Sequence, residues 1–183
     1  MTAAPAASPR VPVGMIHPLA LADGRRLLVR PLLPQDGAAE QDFVMALSPA
    51  SRYRRFHIGL RALPESLLRH LTQVDHRSHV ALVAQPESDD EDEPPIVADA
   101  RYVVNGAHSA EFALAVADDW QRQGVGRRML QLLARHAARH GIRQLTGDVL
   151  ADNAPMVRML LALGCELQLR DDEPGLLLAT IAL

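Results

Sequence analysis

Gln121, Gly124 and Gly126 stand in a Q-x-x-G-x-G spacing just ahead of a long amphipathic repeat, with Arg122, Arg127 and Arg128 around them. A helix that opens on glycines presents several backbone N–H groups without intrahelical acceptors, at the positive end of its macrodipole. Such a turn binds anions, and three neighbouring arginines make a polyphosphate the natural guest. Two phosphate loops are excluded. The Walker A loop needs a lysine after its glycines, and this chain contains no lysine. The dinucleotide fingerprint needs a third glycine, where Met129 stands instead, and no second βαβ half lies behind the turn.

The turn is positioned by its flanks. Residues 111–117 read as a strand, with Phe112, Leu114 and Val116 on one face by period-2 alternation. Glu111, Ala113, Ala115 and Ala117 take the other, nearly bare face, which leaves room for something other than protein. The helix from Gly124 buries Val125, Met129, Leu132, Leu133 and His136, and Gly141 stops it. Residues 142–150 form a strand parallel to the first, completing a right-handed βαβ unit. Asp152 and Asn153 then cap a helix over 154–163, ended by Gly164. Two closing strands, 165–170 and 175–183, follow.

Ahead of this unit, residues 1–22 are rich in alanine and proline and read as a disordered tail, leaving 23–183 as one domain. A strand is expected over 26–31 and a helix over 34–47 with Phe43, Val44 and Leu47 inward. Ser48-Pro49 caps a second helix carrying SPASRYRRF, and Pro64-Glu65 opens a third with Leu67, Leu68 and Leu71 inward. Strands over 79–85 and 96–104 flank the acidic stretch 86–95, read as a solvated loop. Its acids also offer a weak attraction for a cationic substrate.

Composition narrows the function classes. The 183 residues carry a net charge of −3, which leaves no electrostatic footprint for nucleic acid. Without lysine there is no Schiff-base chemistry. The single cysteine, Cys165, excludes a disulfide framework and a multi-cysteine metal site. His136 and His140 have metal-ligand spacing but no third ligand nearby, so no metal is expected. No apolar run is long enough to span a membrane, and Pro5, Pro9, Pro12 and Pro18 interrupt any signal-peptide core. The chain reads as cytoplasmic, a monomer or homodimer.

The glycine turn in its strand-then-helix setting resembles the pyrophosphate loop of the GNAT superfamily of N-acetyltransferases. Leu150-x-x-Asn153-x-x-Met156 and Leu163-Gly164 add to the resemblance. The SPASRYRRF segment is similar to the acetyltransferase domain of bacterial protein-lysine acetyltransferases. The resemblance implies an α/β fold with a mixed central sheet, two splayed parallel strands and flanking helices. It implies acetyl-CoA as acyl donor, with the backbone of Ala115, Val116 and Ala117 along its pantetheine. Gln121, Arg122, Gln123, Gly124, Val125, Gly126, Arg127 and Arg128 would surround the pyrophosphate, and Asn153 the thioester arm.

The implied reaction is aminolysis of the thioester by a primary amine, most simply a protein lysine. A protonated amine cannot attack. Glu111, on the strand face shared with the alanines, is the expected general base, as a glutamate is at this place in lysine-acetylating relatives. Where many members carry a tyrosine to protonate the thiolate, this chain has Leu160. A thiolate of ordinary pKa leaves without a dedicated acid. Two alternatives stay open: a small-molecule amine acceptor, and a catalytically weak acyl-CoA-binding regulatory module.

Overall fold

The structure is a computed structural model, described here for residues 15–87 and 94–183. The chain forms β1 (His17–Ala20), β2 (Arg26–Pro31), α1 (Gly37–Ala46), α2 (Pro49–Phe56), α3 (Glu65–Thr72), β3 (His79–Pro86), β4 (Ala98–Val104) and β5 (Ser109–Val116). After β5 come α4 (Val125–Arg139), β6 (Gln144–Leu150), α5 (Ala154–Leu161), β7 (Glu166–Leu169) and β8 (Leu176–Ala182). The eight strands make one mixed sheet in the order β1-β2-β3-β4-β5-β6-β8-β7. The expected elements from 26 onward are all present, with bounds shifted by a few residues.

β1 corrects the sequence reading. His17–Ala20 lies inside the stretch expected to be a loose tail, yet it pairs antiparallel with β2, with Leu19 opposite Leu27. Met15, Leu19 and Leu21 are buried. Pro18 hides the strand signal, but β1 is the sheet edge, where a residue without an N–H is tolerated. Residues 1–14 lie outside the described residues, as does most of the acidic stretch.

Both faces of the sheet are covered. Along β3, Val80, Leu82 and Ala84 enter a core with α4, while Ala81 and Val83 enter a second core with Phe43, Val44 and Leu71 of α1 and α3. Two-sided burial explains why this strand reads as one apolar run. α4 turns slightly from its expected stripe. Val125, Met129, Leu130, Leu133 and Ala137 are the buried residues, and Leu132 and His136 are half-buried. Small Ala137 allows the helix to sit close, which moves the contact line one position round.

The parallel pair β5–β6 holds together only at Ser109–Glu111 with Gln144–Thr146. Beyond it the strands part. At the point of parting Gly147 lies so close to Phe112 that a Cβ would stand 2.9 Å from the Phe112 carbonyl oxygen. β5 continues alone on that side to Val116, while β4 pairs its other edge throughout.

Candidate active site

A cleft of about 640 Å³ opens where β5 and β6 diverge, between the start of α4, the start of α5 and the end of α2. Of the expected residues, Glu111, Ala115, Val116, Gln121, Arg122, Gly124, Gly126, Arg127 and Asn153 line it. Ala117, Gln123, Val125 and Arg128 do not. Val125 is buried in the core, so only its backbone is available. The Gln123 side chain accepts from Arg25 and donates to the Asp119 carbonyl. Arg25 also lies 4.0 Å over the Trp120 ring, bracing the turn from outside.

At the turn, Gly124 adopts φ +83°, a left-handed conformation open to glycine and costly for other residues. α4 begins there with no side-chain cap. Its first N–H groups therefore face the cleft without an internal acceptor. At Gly126 a Cβ would be in ordinary contact with Leu114, Val116 and Met159 at 3.4–3.6 Å.

The turn is held by a clamp that the sequence did not disclose. Asp118 accepts from the Ser48 N–H at 2.9 Å and from the Ser48 and Ser51 hydroxyls, each at 2.8 Å. Burial alone would push its carboxyl up, but these bonds hold it below its ordinary value. Gln121 completes the clamp, donating to Ser51 Oγ at 3.2 Å and to the Val116 carbonyl at 2.9 Å. The two serines of SPASRYRRF thus fasten α2 to the turn. In the same segment Phe56 packs on the second core, while Tyr53 is exposed.

The bare face of β5 has an unexpected neighbour. Asp99 stands opposite Ala115 and Arg101 opposite Ala113 in the β4–β5 ladder. Arg101 binds Asp99 at 2.7 Å, Glu40 at 3.0 Å and the Leu71 carbonyl at 2.7 Å. Arg55 reaches Asp99 at 3.8 Å from α2. Burial, then the Asp99 charge, raises the Glu40 carboxyl to about 8. The room left by alanines is thus shared between the cleft and a buried charge cluster. Glu40 falls in register with Phe43, Val44 and Leu47, and that alignment was the available sign of its burial. Asp99 and Arg101, two apart in an apolar strand, carry no comparable sign in the sequence.

Glu111 sits at the last paired position of β5 with β6, exposed at the cleft. Asn153 Oδ1 accepts from the Met156 N–H at 3.4 Å, capping α5. Leu160 is fully buried, as is Cys165 nearly so, and neither lines the cleft. His136 and His140 stack with ring centroids 4.1 Å apart, His136 Nδ1 facing the Tyr102 hydroxyl at 3.0 Å. Among the described residues no cluster of three or more metal-ligating side chains forms, and no helix is long and apolar enough to cross a membrane.

A model of the Acetyltransferase (GNAT) family matches residues 52–165, from within α2 to just past α5, and takes in every cleft-lining residue but Ser51. The chain belongs to the GNAT acetyltransferase family. It is 34% identical to an acetyltransferase of Pseudomonas aeruginosa over 145 residues, 79% of this chain and 77% of that protein. It is 32% identical to the acetyltransferase Pat of Mycolicibacterium smegmatis over 149 residues, 80% of this chain. The match spans only 43% of Pat, so this chain corresponds to less than half of that protein. Among solved structures, the GNAT domain of S. lividans PAT superposes with a TM-score of 0.84 at 26% identity, covering 94% of this chain and 99% of that one.

As a GNAT enzyme the chain is an acetyl-CoA-dependent acetyltransferase acting on an amine. The site is suited to that donor. The uncapped start of α4 with Arg122 and Arg127 offers anion contacts, and the free edge of β5 offers backbone groups to an extended chain.

Proposed function

We propose that this GNAT enzyme acetylates protein lysines, with Glu111 as general base. The observation that carries the reading is the place of Glu111, at the root of the divergence between β5 and β6 and inside the cleft. Similarity of SPASRYRRF to bacterial protein-lysine acetyltransferases supports the lysine acceptor.

When bound, acetyl-CoA supplies a thioester whose acyl group passes to the amine. The pantetheine runs beside Ala115, Val116 and Ala117, where the Val116 N–H faces it, while Ala115 is turned to β4 and the Ala117 N–H is taken by the Val97 carbonyl. Gln121 to Arg128 form the pyrophosphate site, with Gly124 and Gly126 bringing the backbone close and Arg122 and Arg127 supplying charge. Gln121 serves mainly as a strut, since its amide nitrogen is engaged by Ser51 and Val116. Asn153 caps α5 and borders the acyl end. Glu111 takes the proton of the attacking amine, directly or through a water. The Ala115 N–H turns to β4, so a β5 N–H on the cleft edge, such as that of Leu114, meets the developing oxyanion. The Leu160 position is core, so no side chain there protonates the thiolate, which leaves unaided.

The deciding experiment measures thiol release from acetyl-CoA with polyamines, free lysine and lysine-containing proteins as separate acceptors. Release that depends on lysine in proteins supports the proposal. Release with small amines alone overturns the acceptor assignment, and donor binding without release points to a regulatory module.

A further inference from the structure

The direction of α2 sets the chemistry of the cleft's far end. The helix starts where Ser48 and Ser51 grip Asp118, beyond the C-terminal end of β5. Its eight residues then pack against that strand, and Arg55 near their end comes under the charge of Glu111. The last turn and its cap bring Arg54, Arg55 and His57 into the cleft lining, with Arg55 beside Asp99.

Charge at this end is unbalanced. Arg54 is exposed and forms no ion pair among the described residues. Arg55 reaches Asp99 Oδ2 only at 3.8 Å, while the same oxygen accepts from Arg101 at 2.7 and 2.9 Å. The other acid of the cluster, Glu40, is raised to about 8, so at neutral pH it keeps its proton. Two guanidiniums then stand against one carboxylate. The Arg55 side chain is 11% exposed, and through it the excess charge meets the cleft. Across the cleft Asp148 is held by Arg170 at 3.1 Å. Glu111 is the remaining carboxylate of the lining, and its charge acts on Arg55.

We propose that this end of the cleft selects amines carrying a nearby carboxylate, in the first place acid-flanked lysines, with Arg54 and Arg55 as specificity-determining side chains. The inference rests on the assignment of the Glu111 end as the acceptor end. A guanidinium fork matches a carboxylate in a way no other side chain here does. Held by that fork, the acceptor places its amine toward Glu111. Polyamines, which bring further cations and no carboxylate, are repelled by the same two arginines. The preference runs opposite to the attraction expected from the acidic stretch 86–95.

The test compares two short peptides that differ only in the residues flanking one lysine, aspartate in one and asparagine in the other. Their affinities for the full chain are measured by calorimetry with CoA present. The aspartate peptide is expected to bind roughly three- to tenfold more tightly at low salt, falling below about twofold near 0.5 M salt. Arg54→Gln, at an exposed position, should reduce the preference by about twofold or more. Arg55→Lys should weaken it, since an ammonium keeps the charge without the fork, and Arg55→Gln should lose it. Equal affinities, or no binding of either peptide at about millimolar concentration, would overturn the inference. Acetylation of both peptides is followed in parallel. Unequal binding without acetylation leaves the inference standing and removes lysine transfer from the proposed function. Equal binding with equal acetylation does the reverse.

Discussion

Arg101 and Ala113 face each other across the β4–β5 ladder, a long guanidinium against a single methyl group. Two residues on, Asp99 faces Ala115 in the same way. The pairing explains how a charged cluster fits under a sheet face that also borders the cleft. Small side chains on β5 give volume to their neighbours on β4, and the cluster fills it.

Ala115→Leu should therefore fail on packing before it fails on chemistry. Extra methylenes at a 9% exposed position would press on Asp99 and the second core. Overpacking of this kind costs about 1–3 kcal/mol. Urea unfolding should show the loss, and an unchanged midpoint would mean that the cluster yields space freely.

Stability should peak near pH 6.5. Burial, then Asp99, raises Glu40 from 4.5 to about 8, so the folded chain holds a proton there that the unfolded chain releases. Burial, then Arg101 and His140 respectively, lowers His79 and His136 from 6.5 to about 4. Between roughly 4.5 and 6.5 the two histidines outweigh the one carboxyl, and stability rises with pH. From 6.5 to about 8 Glu40 acts alone and stability falls. Glu40→Gln should flatten that alkaline fall; thermal unfolding across pH checks both slopes.

Glu111→Gln should leave acetyl-CoA affinity within about twofold and cut turnover by about 10²-fold or more. The substitution keeps the shape and removes the basic oxygen. Undiminished turnover would take Glu111 out of the reaction.

Gly124→Val should act on the donor rather than on the chemistry. The position has φ +83°, where a side chain costs about 1–2 kcal/mol and displaces the start of α4. Direct binding of CoA should weaken by an order of magnitude or so. Unaltered affinity would argue against the glycine turn as the pyrophosphate site.

Asp118→Asn tests the clamp. The amide accepts fewer of the three bonds from Ser48 and Ser51, so α2 should loosen from the turn. Expected are a stability loss of about 1–2 kcal/mol and faster amide exchange in residues 118–124. Exchange unchanged from the parent chain would show that α2 is secured elsewhere.

Much of this was legible in the sequence because it rests on local rules. The alternation of Phe112, Leu114 and Val116, the glycines at 124 and 141, and the Asn153 cap each specify their own neighbourhood. What was hidden depends on partners distant in the chain. Asp118 meets Ser51 across 67 residues and Arg101 meets Glu40 across 61, so neither pairing leaves a periodic trace. β1 was hidden for a different reason. Its signal is four residues long and contains a proline, and only the waiting edge of β2 makes it a strand.

The parting of β5 from β6 also bears on aggregation. Unpaired strand edges invite other chains to add themselves, and proteins ordinarily blunt or cover them. Here two bare edges face one another inside a wedge closed at one end by the Glu111–Thr146 pairing. A foreign sheet has no way in. A single slender chain does, and so the same backbone that would be a hazard at the rim of the sheet becomes, at its centre, an entrance with its own size limit.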